Sequence, residues 1–159
     1  MAINFPEGTL DLPTKVLQVK FPDTNDVNSR TTTTSSSFVD TGVHIDITPK
    51  SATSYILLIA STSIHNSAGN QYCYHRWKRT VGSSVSYVGP TTALHGGLWL
   101  MMPQVTGISS VDNTTNHEFK LQHKTSGGGT NYIGWSQSGY GGTFNFNYIC
   151  ILQNNLSIC

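Results

Sequence analysis

Acidic and basic side chains are scarce in this sequence of 159 residues. It has nine Lys and Arg against eight Asp and Glu, so only 11% of the chain is charged and the formal net charge is +1. A protein that binds a nucleic-acid backbone usually carries an excess of Lys and Arg, which displaces counterions from the phosphates. The charge balance therefore argues against a nucleic-acid partner.

Residues that favour helices are also scarce. The chain has only two Glu, five Ala and six Lys, whereas Thr, Ser, Asn and Gly together make up 65 of the 159 residues. Thr favours strands, and Ser, Asn and Gly favour turns. The composition therefore predicts an all-β protein, and its 16 aromatic residues are enough to build a core.

Long apolar runs are absent. The longest, residues 55–60, has the length of a strand and is far shorter than a membrane span. Residues 1–6 (MAINFP) contain neither the basic nor the apolar region of a secretion signal. We therefore expect no membrane insertion, and we expect synthesis in the cytoplasm.

Cysteine is limited to three residues, Cys73, Cys150 and Cys159, and none of them forms a CxxC pair. An odd number without such spacing favours neither a disulfide framework nor a zinc knuckle. We interpret Cys73 and Cys150 as small buried apolar residues.

Alternation of apolar and polar residues predicts several half-buried strands. The inward faces are expected to carry apolar residues from three segments: Leu17, Val19 and Phe21; Val43, Ile45 and Ile47; and Phe119 and Leu121. Residues 55–60 are apolar on both faces, as in a central strand covered on both sides.

Gly and Pro divide the remaining sequence into short segments. Residues 72–79 and 85–88 are predicted to form a hairpin across Gly82, with a turn at Gly89 and Pro90. The Thr/Ser run at residues 31–37 slightly favours a loop, although a Thr-rich strand is also compatible with it. Eight to ten strands spaced by about 10 residues indicate a sandwich or a barrel.

The chain divides into three parts. Residues 1–14 contain two prolines and no sustained period, which predicts an N-terminal arm. Residues 15–153 form the predicted β-domain, and residues 154–159 form a short C-terminal tail.

Catalytic and metal-binding patterns are weak. The six histidines form no HxH, HxxxH or HExxH motif, so we predict no metal site and no cofactor. Asp46 and Glu118 are the one pair of strand-borne carboxylates, and nothing in the sequence brings them together. Cys73 and His75 share a strand face but lack an orienting third group. His44 and His75 are expected at the surface, and we predict that the protein is not an enzyme.

Aromatic residues beside Asn, Gln, Ser and Gly are the most informative feature. Such residues either fill cores and subunit interfaces or form surfaces that stack on sugar rings. The loop at residues 136–142 (SQSGYGG) is typical of recognition loops. Trp135, Gln137 and Tyr140 are therefore candidate contacts for a host glycan.

The order of several motifs resembles the virion proteins of marine tailed bacteriophages. The resemblance rests on the opening residues 1–6, the Thr/Ser-rich segment that ends in residues 37–42 (SFVDTG), and residues 45–54 (IDITPKSATS) before an apolar strand. The aromatic closing strand at residues 144–152 also fits, so the match covers most of residues 15–153.

The resemblance implies a jelly-roll-like antiparallel β-sandwich that forms a homotrimer on the virion surface. Its extended arm would dock to other virion proteins, in the capsid or the tail, through apolar residues and prolines: Ile3, Phe5, Pro6, Leu10, Leu12 and Pro13. Because a fibre shaft is missing, the alternatives are a head fibre or a capsid decoration protein without a receptor role. A lectin-like module that binds host surface polysaccharide is a further alternative.

Overall fold

The computed structural model describes residues 16–22, 31–95, 100–108, 111–133 and 147–154, and within these ranges the chain forms strands and no helix. The strands are β1 (Val16–Lys20), β2 (Thr31–Thr33), β3 (Val39–Ile47), β4 (Ser54–Asn66), β5 (Tyr72–Val81), β6 (Ser84–His95), β7 (Leu100–Ile108), β8 (His117–Thr125), β9 (Asn131–Ile133) and β10 (Asn147–Asn154). The predicted all-β class is confirmed. None of the described residues belongs to a helix that could cross a membrane.

Two antiparallel sheets form the sandwich. The larger has the order β1-β10-β4-β9-β2, with β7 also paired to β4, and the smaller has the order β3-β8-β5-β6. The chain crosses repeatedly between the sheets, for example from β3 to β4 and from β4 to β5, and buried apolar residues of both sheets form one core. The predicted antiparallel β-sandwich is therefore confirmed.

The core lies between the sheets, where the predicted alternation places it. Val43, Ile45 and Ile47 of β3 are buried, and so are Phe119 and Leu121 of β8. Trp77 of β5 is 1% exposed and fills the space beside them. Burying a large apolar side chain stabilises a fold by about 1.5–3 kcal/mol, so these strands supply much of the cohesion.

Strand β4 is the centre of the larger sheet. It pairs with β10, β7 and β9 along its length. Ile56, Leu58 and Ala60 are buried in the core. The prediction of a central strand at residues 55–60 is confirmed, and the strand extends to Asn66.

The hairpin of β5 and β6 is longer than predicted. Val81 lies opposite Ser84 across the turn, and pairing continues to Tyr72 opposite His95. Gly89 and Pro90, predicted as a turn, instead lie inside β6, where the register shifts and Gly89 has a φ of +72°. A bulge absorbs the extra residues and allows the strand to continue.

In and just after strand β1, two side chains that were predicted to point inward are exposed. Val19 is 45% exposed and Phe21 is 67% exposed, whereas Gln18 is partly buried. The register with β10 shifts between Val16 and Gln18. A one-residue shift turns every following side chain to the other face of a sheet, which explains the error.

The Thr/Ser run contains a strand where a loop was slightly favoured. Thr31, Thr32 and Thr33 form β2, which pairs with β9. The Thr31 hydroxyl donates a 2.6 Å hydrogen bond to the Thr41 carbonyl. Pairing with a neighbouring strand therefore overrides the local flexibility expected of this sequence. The predicted arm, residues 1–14, lies outside the described residues.

Candidate functional site

The outer face of the four-stranded sheet carries several aromatic and cationic side chains. Alternation along β5 directs Tyr72, Tyr74, Arg76 and Lys78 outward, because Cys73, His75 and Trp77 between them are buried. The pairing of Lys78 with Tyr87 brings β6 into the same face.

Arg76 is held between two aromatic rings. The central guanidinium carbon lies 3.9 Å from the centroid of the Phe38 ring and 3.6 Å from that of Tyr87. Such stacking over ring faces is favourable because the π-system is negative at its faces. The guanidinium thus links the segment before β3 to the edge strand β6.

A polar chain fixes the orientation of this guanidinium. Arg76 Nε donates to Gln122 Oε1 at 2.8 Å, and Gln122 Nε2 donates to Asp40 Oδ1 at 2.6 Å. The second oxygen of Asp40 lies 3.5 Å from Lys78 Nζ. Gln122 is buried under these neighbours although it is on the outer face.

A second cation continues the array. The ammonium of Lys124 lies 5.0 Å from the centroid of Phe38 and 4.9 Å from that of Tyr74. Tyr72 follows, with its centroid 6.3 Å from Tyr74 and in edge contact with His95 at 5.1 Å. We call this continuous set the cation–aromatic belt: Tyr87, Arg76, Phe38, Lys124, Tyr74, Tyr72 and His95.

The structure brings together the two carboxylates that the sequence could not connect. Asp46 and Glu118 are directly opposite one another in the β3–β8 register. Lys120 Nζ lies 2.8 Å from Glu118, which raises the lysine pKa, and Asn116 donates a 2.8 Å hydrogen bond to Asp46. The pair stands on an open sheet face, with Lys120 beside Glu118 and Asn116 beside Asp46, and this is not the cleft of a glycosidase.

Cys73 and His75 share the inner face, as predicted, but His75 is fully buried and the expectation of a surface position is wrong. Burial raises the pKa of the Cys73 thiol to about 11. Burial, together with the nearby His123, lowers the pKa of His75 to about 3. A catalytic dyad needs the opposite shifts, a lowered thiol pKa and a basic imidazole, so this pair is structural.

His117 occupies a second polar site at the other end of β8. Arg79 Nε donates to its Nδ1 at 3.1 Å, and its Nε2 lies 2.9 Å from Asn113 Oδ1. Because the guanidinium can only donate, Nδ1 accepts and Nε2 carries the proton. Burial and the charge of Arg79 lower the pKa of His117 to about 4.

Metal ligation finds no support in the described part of the chain, where no three His, Cys, Asp or Glu side chains are grouped for it. His44 is half-exposed and lies 3.8 Å from Asp46. His44 and Asp46 therefore form a surface pair, as the sequence suggested for His44.

The candidate residues chosen from the sequence lie outside the part of the chain that the structure describes. Trp135, Gln137 and Tyr140 fall outside the described residues, as do the six arm residues. Sequence reasoning did not identify the belt, although the alternation of Tyr72, Tyr74 and Arg76 along one strand face was a usable signal. Phe38 gave no such signal, because only tertiary folding brings it beside Arg76.

No protein-family model matches the sequence, and no curated protein matches it. Among solved structures, the fold is similar to that of VP2 in the subviral particle of infectious bursal disease virus. The TM-score is 0.50 at 12% sequence identity, and the match covers 89% of this chain and 38% of that chain.

A mutant VP2 from derived T=1 particles of the same virus gives a similar result. The TM-score is 0.51 at 12% identity, with 96% of this chain and 40% of that chain covered. This chain therefore spans about two fifths of the length of VP2. The likeness extends over nearly the whole chain, and at this identity it is a likeness of fold.

Proposed function

We propose that this protein is a non-enzymatic structural subunit of a virus particle, displayed on the virion surface. The observation that carries the proposal is the two-sheet antiparallel sandwich, which shares its fold with a protein of virus particles over 89–96% of the chain. The resemblance of residues 15–153 to tailed-phage virion proteins supports the same role independently. The specific form we propose is a fibre-like appendage of a tailed phage.

The chemistry of the interior supports a structural role. The buried imidazoles of His75, His117 and His123 have lowered pKa values, so they are neutral at physiological pH. They lie within the core region between the sheets and not in an open cleft. Their position suits the stabilisation of a fold better than proton transfer to a substrate.

We further propose that the protein forms a homotrimer. Val19 and Phe21 expose apolar surface at the end of β1, an edge strand of the larger sheet. Burial of such residues between subunits would extend a core that has few large side chains. Residues 1–14, which contain Ile3, Phe5, Pro6, Leu10, Leu12 and Pro13, would then anchor the trimer to capsid or tail proteins.

Light scattering after size exclusion tests the trimer. One chain is 17.3 kDa, so three copies should give about 52 kDa at micromolar concentration. A stable monomer of 17.3 kDa would contradict the trimer. Deletion of residues 1–14 should leave the sandwich folded but abolish incorporation into particles, and unchanged incorporation would reject the anchor.

A capsid decoration protein or head fibre is the alternative within the same class. Electron microscopy of labelled particles separates these roles, because label on the tail supports the fibre and label on the head supports decoration.

The glycan hypothesis for residues 135–140 is a separate proposal. Trp135→Ala, Gln137→Ala and Tyr140→Ala should each weaken binding to host polysaccharide, and an array of host glycans without binding would reject it.

A further inference from the structure

We propose that the cation–aromatic belt on the outer face of the four-stranded sheet is a binding site for an acidic polysaccharide, one that carries carboxylate or sulfate groups. This site differs from the loop at residues 135–140 and does not depend on the role of the protein in a virion.

The belt offers ring faces that are open to solvent. Tyr87 is 56% exposed and Tyr72 is 45% exposed, although both lie on strands of a paired sheet. Flat aromatic rings with a hydroxyl group present an apolar body and a polar tip. Such rings can stack on the apolar face of a sugar while they hydrogen-bond its hydroxyls.

The cations of the belt favour an anionic ligand. Among the described residues, neither Arg76 nor Lys124 forms an ion pair. Asp40 is linked to Arg76 through the Gln122 amide and pairs with Lys78. Arg76 and Lys124 contact aromatic rings, and Arg76 also contacts an amide. A carboxylate or sulfate of the ligand would form an ion pair with each cation.

The geometry is fixed before a ligand arrives. Stacking between Phe38 and Tyr87, together with the hydrogen bond to Gln122, holds Arg76 in place. Fewer side chains then lose freedom on binding, which improves affinity for a given contact area.

The belt is long enough for a chain of sugars. It follows β5 from Tyr72, which pairs with His95, to Lys78, which pairs with Tyr87, and six residues of strand measure about 20 Å. The ligand is therefore an oligosaccharide segment and not a single sugar.

Single-stranded nucleic acid is the other anionic ligand that stacks on aromatic rings. A backbone with one phosphate per nucleotide needs a groove lined by several Lys and Arg. The belt supplies two such cations, and the whole chain has a net charge of only +1. The observations therefore favour a ligand whose charges are widely spaced along sugar rings.

Calorimetric titration of the full chain tests the proposal with four probes of equal length. These are a galacturonate oligomer, a sulfated heparin oligosaccharide, a neutral galactose oligomer and a single-stranded DNA. We expect binding to at least one acidic sugar, at least tenfold weaker binding to the neutral one, and an affinity that falls as salt rises. The proposal is overturned by no binding to either acidic sugar, by equal binding to the neutral one, or by tighter binding to DNA.

Substitutions in the cation–aromatic belt test whether the ligand binds there. Lys124→Met and Tyr87→Ala should each weaken binding at least fivefold, whereas Lys124→Arg should retain it. Lys50→Met is the matched control, because Lys50 is exposed in the turn between β3 and β4. Unchanged affinity in both belt variants, with melting temperatures like that of the wild type, would show that the ligand binds elsewhere and would contradict the proposal.

Discussion

His75 and His123 lie directly opposite one another in the register of β5 and β8, and both side chains are fully buried between the sheets. Burial lowers the pKa of His123 to about 4 and, together with the adjacent His123, that of His75 to about 3. The folded protein therefore holds two neighbouring imidazoles in the neutral form.

Stability should fall as the pH is lowered from 7.5 to 5. In the unfolded chain, His75, His117 and His123 bind protons with the ordinary pKa of 6.5. In the folded chain they do not bind protons until the pH approaches 4. The free energy of unfolding is therefore highest above pH 6.5 and decreases progressively as the pH falls below that value. Each of these buried histidines should lower the free energy of unfolding at pH 5 by about 2 kcal/mol relative to pH 7.5.

Denaturant unfolding at a series of pH values measures this loss. His117→Gln should lower stability at pH 7.5 but lessen its decrease toward pH 5, because one proton-binding group is removed. Thr34→Val is the control, because Thr34 is exposed and its side chain binds no proton in this pH range, so the slope should stay unchanged. A free energy of unfolding that is constant between pH 7.5 and 5 would refute the neutral assignment.

Gly129 lies in the turn between β8 and β9 and has little space around it. Its φ is +73°, and an added Cβ would lie 2.5 Å from Asn66 Oδ1 and 2.8 Å from the Ala68 backbone nitrogen. Gly42 has a similar φ of +86° but no atom within 4 Å of such a Cβ.

Gly129→Ala should therefore destabilise the protein well beyond the cost of about 1–2 kcal/mol for a left-handed alanine. Gly42→Ala, as the matched control, should show only that backbone cost. Equal melting temperatures for the two variants would contradict the close packing at Gly129.

A buried hydrogen bond joins the two sheets at Thr125. Asn66 Nδ2 of β4 donates to Thr125 Oγ1 of β8 at 3.0 Å, and both residues are buried. Thr125→Val keeps the shape but leaves this amide without its acceptor, which should cost about 1–3 kcal/mol. Thr34→Val, at an exposed position, should change the unfolding free energy by less than about 0.5 kcal/mol. A similar loss in both variants would show that the hydrogen bond contributes little.

Phe21 tests the proposed subunit contact. Because 67% of the Phe21 surface is exposed, Phe21→Glu should leave the monomer folded. The substitution would place a charge in the proposed interface. Light scattering should then give a monomer at concentrations where the wild type gives the proposed trimer. Val85→Glu, at another exposed apolar position, should remain trimeric. A trimer in both variants would place the interface away from β1.

The sequence predicted the core correctly in β3 and β8. Val43, Ile45 and Ile47 alternate with polar residues and are buried, and the same holds for Phe119 and Leu121. Short-range periodicity is sufficient in these strands because each contributes one uninterrupted face to the sandwich.

Local reasoning failed where tertiary pairing decided the outcome. A register shift exposed Val19, pairing with β9 made Thr31 part of a strand, and the β3–β8 register placed Asp46 beside Glu118. His75 was expected at the surface because it lies on a strand next to residues that alternate inward, but its position between Cys73 and Trp77 on the inner face buries it.

Sedimentation of purified particles tests the central claim most directly. An antibody against the recombinant chain should detect it in density-gradient fractions that contain intact virions, in constant ratio to the major capsid protein. Detection only among slowly sedimenting soluble proteins, with none in the particle fractions, would contradict a role as a structural subunit of the virion.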